Sequence, residues 1–273
     1  MTTMNPHCKG RQLACVVWAL CLTTAVAQAQ TGRLNDTGQT SCYDAANAVA
    51  TCNTATTGNA GTRPHQDGRY GRDAAQAAGQ LSAKTGAGAA GFDFTKIANN
   101  GTALAASATL GSNPTDWACT RDNVTGLVWE VKTTSGLRNT SHTYTWYSAT
   151  NNGGNAGSVG SNTCGGSLSA APYNNQCNTA NYVAAVNAAG LCSATGWRMP
   201  TRRELLSIVH NGLAGGSMVD ATYFPSTQTS LYWTSDTVTG YPTAAWGVDF
   251  GYGDNNGDFK NRDGLVRLVR SGQ

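Results

Sequence analysis

Large apolar positions are unevenly spread along the 273 residues. From residue 30 to 111 they are sparse. Alanine and glycine dominate 74–91 and offer little side chain to bury, and Phe92-Asp93-Phe94 is the one short alternating piece. Cys42 and Cys52 enclose a short helix expected over residues 43–50. The segment from His65 to Asp73, with two carboxylates, two cations and two glycines, reads as a polar turn. Such a half packs along a neighbour rather than owning a full core.

Beyond Asn113 the density of large apolar residues rises. Leu127-Val128-Trp129-Glu130-Val131 has a strand pattern, entered through the turn chemistry of Asp122 to Gly126. Tyr182, Val183, Val186 and Ala189 recur at helical spacing over 178–189, and Gly190 stops them. Residues 220–225 form a turn that brings Tyr223 and Phe224 inward. Three strand patterns close the chain: 231–235, then 245–250 with Trp246, Val248 and Phe250 on one face, then 265–270. A helix pair followed by short consecutive strands predicts an α+β domain with an antiparallel sheet.

One stretch organises this half: Gly196-Trp197-Arg198-Met199-Pro200-Thr201-Arg202-Arg203-Glu204-Leu205-Leu206. Pro200 restricts Met199 to extended backbone. Thr201 stands three residues before Glu204, the spacing of a capping box. Leu205, Leu206, Ile208 and Val209 give the helix that follows a face to bury, and it is expected to end near Asn211-Gly212. Trp197 is read as a core residue and Arg198 as the partner of a buried carboxylate.

The leading segment reads differently. His7, Lys9 and Arg11 precede an apolar run over 13–26, and Ala27-Gln28-Ala29 fits a small-x-small cleavage site, so residues 1–29 are expected to be a secretory signal peptide. Three of the nine cysteines, Cys8, Cys15 and Cys21, fall within it. Cys42, Cys52, Cys119, Cys164, Cys177 and Cys192 remain, an even number in an exported chain, which points to disulfides. Short separation favours Cys42–Cys52 and Cys164–Cys177, which leaves Cys119–Cys192, although six cysteines allow about fifteen pairings. No Cys-x-x-Cys pair suggests zinc. Of the 18 basic residues two, Lys9 and Arg11, lie in the leader, leaving 16 against 15 acidic ones and a net charge of +1. No basic cluster marks a nucleic-acid partner.

Candidate chemistry is thin. His65, His142 and His210 sit in no nucleophile motif, so no catalytic residue is assigned. Tyr144, Trp146 and Tyr147 precede a glycine-asparagine-serine run over 151–166. If exposed, they form a ligand surface suited to carbohydrate or protein; otherwise they make a satellite core. Asp254, Asp258 and Asp263, with asparagines between them, form a candidate calcium loop. Lys260 and Arg262 oppose a cation there, and a hydrogen-bonded turn is the competing reading. No other cofactor is expected.

Four stretches together carry a resemblance: Thr120 to Glu130, Gly196 to Leu205, Leu231-Tyr232-Trp233-Thr234-Ser235, and Ala245 to Phe250 with the terminal Val266 to Arg270. Over residues 112 to 270 the chain resembles the C-terminal domain of the Legionella collagen-like adhesin, a bacterial exported family. That family is similar in fold to C-type lectins and to formylglycine-generating sulfatase modifiers. The resemblance implies a C-type-lectin-like α+β domain with two helices and a small antiparallel sheet at 112–273, after a glycine/alanine-rich extension at 30–111. Trp129, Trp197, Arg198, Pro200, Glu204, Trp233 and Trp246 then become structural positions. The named adhesin binds sulfated glycans, so the function expected is a secreted or cell-surface binding module, not an enzyme, whose partner is a glycan, a protein or copies of itself. A protomer of an extracellular filament is the alternative, and an enzyme related to the sulfatase modifiers is a third. Nucleic acid and a transmembrane segment are not expected, and a periplasmic location remains open beside the extracellular one.

Overall fold

The computed structural model describes residues 35–53 and 63–272; the expected leader lies outside them. The chain opens with a small hairpin, β1 (Cys42–Tyr43) against β2 (Val49–Ala50). This replaces the helix expected between Cys42 and Cys52. Asn47, at φ 63°, turns the chain back, and Asp44 accepts the amides of Ala46 and Ala48, so the aspartate competes with the helix by making a local turn. The polar segment that follows is not a plain turn but two short helices, α1 (Asp67–Tyr70) and α2 (Arg72–Ala77).

A five-stranded antiparallel sheet comes next. It holds β3 (Phe94–Ala98), β4 (Ala103–Leu104), β5 (Trp117–Asp122) and β6 (Leu127–Glu130), and is completed by the terminal β12 (Val269–Ser271), in the order β12-β6-β5-β3-β4. Residues from the sparse first half thus supply two of its strands, and Phe92, Phe94 and Ile97 are buried. The β5–β6 turn is the expected one. Asp122 accepts the amides of Val124 and Thr125, and Gly126 sits at φ 76°.

Helix α3 (Thr179–Ala188) follows β7 (Tyr144–Thr145). Asn178 caps it by accepting the Asn181 amide, and Gly190, at φ 62°, ends it in the left-handed conformation. Tyr182, Ala185 and Val186 are buried, whereas Ala189, expected on the same face, is the exposed C-cap. Helix α4 is only Arg202–Leu206; its capping box is complete, with Thr201 and Glu204 each accepting from the other's backbone amide. The helix stops short of Asn211, because Ile208 and Val209 reach the core from tight turns instead.

The second main sheet is β8 (Leu231–Val238), β9 (Tyr241–Asp249) and β10 (Asp254–Phe259), in the order β10-β9-β8. Strand β10 occupies what reads as a loop in the sequence. The last apolar run also departs from expectation. Residues 265–269 are buried without alternation, since they pass between the two sheets: Leu265 makes one parallel bridge to Tyr232 of β8, and Val269–Ser271 pairs as a strand with β6 rather than with β9. The short β11 (Asp263–Gly264) pairs with β7. Gly264 must be glycine there: a Cβ would stand 2.6 Å from the Trp233 ring nitrogen.

The arm from Trp197 to Pro200 is fastened on both sides. Asn187, near the end of α3, accepts the Trp197 amide at 2.9 Å and donates to its carbonyl at 2.8 Å. Arg198 pairs its backbone both ways with Val269, and the Ser235 amide donates to the Pro200 carbonyl at 2.7 Å. Trp129, Trp197, Pro200 and Trp233 are buried; Trp246 is half-buried beneath the Arg202 guanidinium, 4.5 Å from its ring centre. Tyr223 and Phe224 point inward, as expected.

All six cysteines among the described residues are bonded: Cys42–Cys52, Cys119–Cys192 and Cys164–Cys177. The second joins β5 to the turn after α3 and spans 73 residues, against 10 and 13 for the others. Chain-entropy arguments give a bridge of that span about 4–5 kcal/mol and the short ones about 3 kcal/mol. Replacing Cys119 and Cys192 together by alanine is therefore expected to lower the urea midpoint more than replacing Cys164 and Cys177. An equal or smaller drop would contradict the placement of the long bridge as the main covalent tie.

Candidate functional site

Two of the four motif stretches, 196–205 and 231–235, contribute to one groove of about 640 Å3. Its walls are the residues after β7, the start of α3, the arm carrying Arg198 and Met199, and Ser235 on β8. Tyr147 is positioned by a reciprocal clamp: its amide donates to Thr179 Oγ1 and the same hydroxyl donates to its carbonyl, both at 2.9 Å. Because Thr179 is the first residue of α3, the ring's place is set by the helix. Residues 148–151 form the outer wall. The lining therefore combines hydroxyls, an amide, aromatic carbon and one cation with the apolar Val183, Met199 and two alanines, and it contains no carboxylate. A larger cleft of about 760 Å3, beside Arg138 and Leu191, has no aromatic side chain in its lining.

Arg198 is the cation of the groove. Its two terminal nitrogens meet the two carboxylate oxygens of Glu204 at 2.8 and 2.6 Å, and its side chain is 41% exposed. The partner expected for it is thus the capping-box glutamate itself. Burial pushes the Glu204 carboxyl up, but hydrogen bonds from Arg198 and Thr201, with the charge of Arg198, hold it below its ordinary value. The Arg198 guanidinium is pushed up chiefly by its hydrogen bond to Glu204. One carboxylate thereby fixes the cation and caps α4.

Of the three aromatics expected as a ligand surface, the structure separates one from the other two. Tyr144 is fully buried and Trp146 nearly so, with the Trp146 ring nitrogen donating to the Thr234 carbonyl at 2.8 Å. Tyr147 remains half-buried at the groove. Alternation across β7 and the packing of Tyr144 on Tyr182, 4.6 Å between ring centres, draw the first two inside. The three aspartates do not converge. Asp254 and Asp258 lie four residues apart on the extended β10, about 13 Å along the strand, and Asp263 is on β11. Asp258 faces Arg262 at 3.4 Å. Among the described residues no group of three or more His, Cys, Asp or Glu could hold a metal ion. The calcium loop is therefore an edge strand and a turn.

Thr179 and the wall at 148–151 belong to no motif, and the only hint was their nearness to Tyr147 along the chain or across the fold. Ser235 closes the motif stretch 231–235 but was given no place in a site there.

The groove is thus open and free of carboxylates, on a disulfide-tied α+β frame. A family profile described as the Lcl C-terminal domain matches residues 118–270, and the chain belongs to that family. The family takes its name from the C-terminal domain of the Legionella collagen-like protein, a secreted adhesin, and is a non-catalytic domain. No curated protein and no solved structure gives a match to the chain. No helix among the described residues is long and apolar enough to cross a membrane.

The Glu204 carboxylate yields a pH prediction. Its folded-state pKa is depressed, so its contribution to stability is fully present above about pH 4.5 and is lost as pH falls through the lower folded value. Glu204→Gln keeps a capping acceptor but loses the charge pair with Arg198, and is expected to melt a few degrees below the parent at pH 7, a loss of up to about 1 kcal/mol. The gap should close as pH falls from 5 to 3. A gap that stays constant over that range in thermal melts would contradict the role given to this carboxylate.

Proposed function

We propose that the chain is a secreted, non-enzymatic binding module whose groove at Tyr147 and Arg198 takes a glycan at a cell surface. The observation that carries this reading is the lining itself. An aromatic side chain beside hydroxyls and an amide suits a sugar, which presents C–H faces to a ring and hydroxyls to polar groups. Arg198, held by Glu204 yet still 41% exposed, leaves room for a ligand that also carries an anionic group. Family membership and the expected leader support export and adhesion, and the lectin-like likeness noted for the family accords with a sugar ligand.

The test is an oligosaccharide array carrying neutral, sialylated and sulfated probes, read with the parent, Tyr147→Ala and Ala149→Trp. Ala149 lies exposed on the outer wall, so tryptophan there fills the groove without entering the core. The parent should bind a subset of probes, and both variants should lose at least tenfold in affinity while keeping the parent's melting temperature. Binding unchanged in both would overturn the groove as the site.

A second reading, self-association, has its own observation. Tyr241, Tyr252 and Phe259 are 69%, 81% and 56% exposed around the β9–β10 hairpin, and β10 is a sheet edge of the kind that can pair with another chain. Sedimentation of the native protein separates the two: a concentration-dependent assembly abolished by Phe259→Ser favours assembly, and a monomer at high concentration removes it.

A further inference from the structure

Lys260 stands just beyond β10 and is 1% exposed. Its ammonium is in no ion pair among the described residues. It donates instead to the carbonyls of Asn152 and Asn155, at 2.8 and 2.7 Å, and lies 4.0 Å from the centre of the Trp146 ring. The main chain adds two ties: the Lys260 amide donates to the Thr243 carbonyl at 2.9 Å, and its carbonyl accepts the Trp146 amide at 3.0 Å. The side chain therefore enters from the sheet, crosses the tryptophan and ends inside the loop 148–156.

The first four residues of that loop, 148–151, are the outer wall of the groove. The loop closes on itself, with Ser148 donating to the Ala156 carbonyl at 2.9 Å and the Asn152 amide group donating to the Ser148 carbonyl at 3.1 Å. It has no apolar side chain large enough to anchor it. Its two inward carbonyls need a donor, and an unpaired buried carbonyl costs about 1–3 kcal/mol. A fixed point charge beneath them meets that need. Oxygen-lined loops are commonly organised by a bound cation whose ligands include backbone carbonyls. Here a covalently attached ammonium has that position, and its charge repels any divalent ion.

We propose that Lys260 is the positioning cation of the groove: its ammonium holds residues 148–156 in the shape that receives the ligand, in place of a metal ion. The proposal rests on the reading of the groove as the binding site, and its test separates the two. Amide hydrogen exchange is followed by mass spectrometry on the parent and on Lys260→Met, each with excess calcium and with EDTA. The methionine keeps an apolar stem over Trp146 and removes the donor. Exchange over 148–156 should quicken at least tenfold in the variant, while α3 and β8 stay as in the parent. In the parent it should be the same with calcium and with EDTA. On the oligosaccharide array, Lys260→Met should lose at least tenfold in affinity. Unchanged loop exchange, or exchange that rises equally everywhere, would overturn the pinning. Loop exchange that quickens in the parent under EDTA would overturn the claim that the ammonium is the cation. A loosened loop with full array binding would overturn its role in the site. If the parent binds no probe at all, the glycan reading fails, and the exchange result alone decides whether Lys260 orders the loop.

Discussion

The structure depends on one buried carboxylate. Glu130, at the end of β6, is fully inaccessible, and an ion so placed is tolerable only when its oxygens are satisfied. One oxygen accepts from the Lys132 ammonium at 3.1 Å and, by a short hydrogen bond, from the Tyr182 hydroxyl; the other accepts the Leu268 amide at 2.9 Å. The Glu130 backbone takes part as well, since its carbonyl accepts from Arg267 at 3.1 Å and its amide donates to Leu268. Sheet, helix α3 and the terminal segment thus meet at one side chain. Burial draws the Lys132 pKa down, with Glu130 opposing, to about 8, and pushes the Tyr182 hydroxyl well above its ordinary value. The groove inherits this frame, because α3 sets Tyr147 and the terminal segment carries the partner strand of Arg198.

The same economy of charge recurs. Charged residues make up 12% of the chain, and many of them point inward. All four lysines among the described residues donate to protein groups: Lys84 to two carbonyls near Ala90, Lys96 to the Ala108 carbonyl while lying 3.9 Å over Trp117, Lys132 to Glu130, and Lys260 to its loop. An ammonium over an aromatic face with carbonyls around it is stabilised by both. Long loops poor in apolar side chains are fixed in this way, and by disulfides, rather than by a core of their own. What faces the groove is then chiefly hydroxyls, an amide, rings and small or apolar side chains, with Arg198 as its one cation.

Much of the frame was legible in the sequence. The capping box, the Asp122–Gly126 turn, helix α3 and the family all follow from local spacing or from motifs in order. What escaped depends on long-range partners. Asp254 to Asp258 carries loop residues yet forms a strand, because β9 lies beside it and tertiary pairing outweighs intrinsic preference. The run at 265–269 alternates in neither burial nor role, since both sheets cover it. Tyr144 and Trp146 look like surface aromatics beside a glycine-rich run, but Tyr182 and Thr234 take them inside. Arg198 and Glu204, six residues apart, were visible in the motif, whereas Lys260 and the loop it enters are more than a hundred residues apart and share no pattern.

The account's central claim is that buried ion pairing and hydrogen bonding at Glu130 hold helix, sheet and terminal segment together. A double-mutant cycle on Glu130→Gln and Lys132→Met, measured by urea unfolding at pH 7, tests it most directly. Lys132→Met alone strands a buried carboxylate and is expected to cost about 3–5 kcal/mol. The double variant should be less destabilised than the sum of the two singles by at least about 1 kcal/mol. Strict additivity, or a Lys132→Met variant as stable as the parent, would contradict the claim.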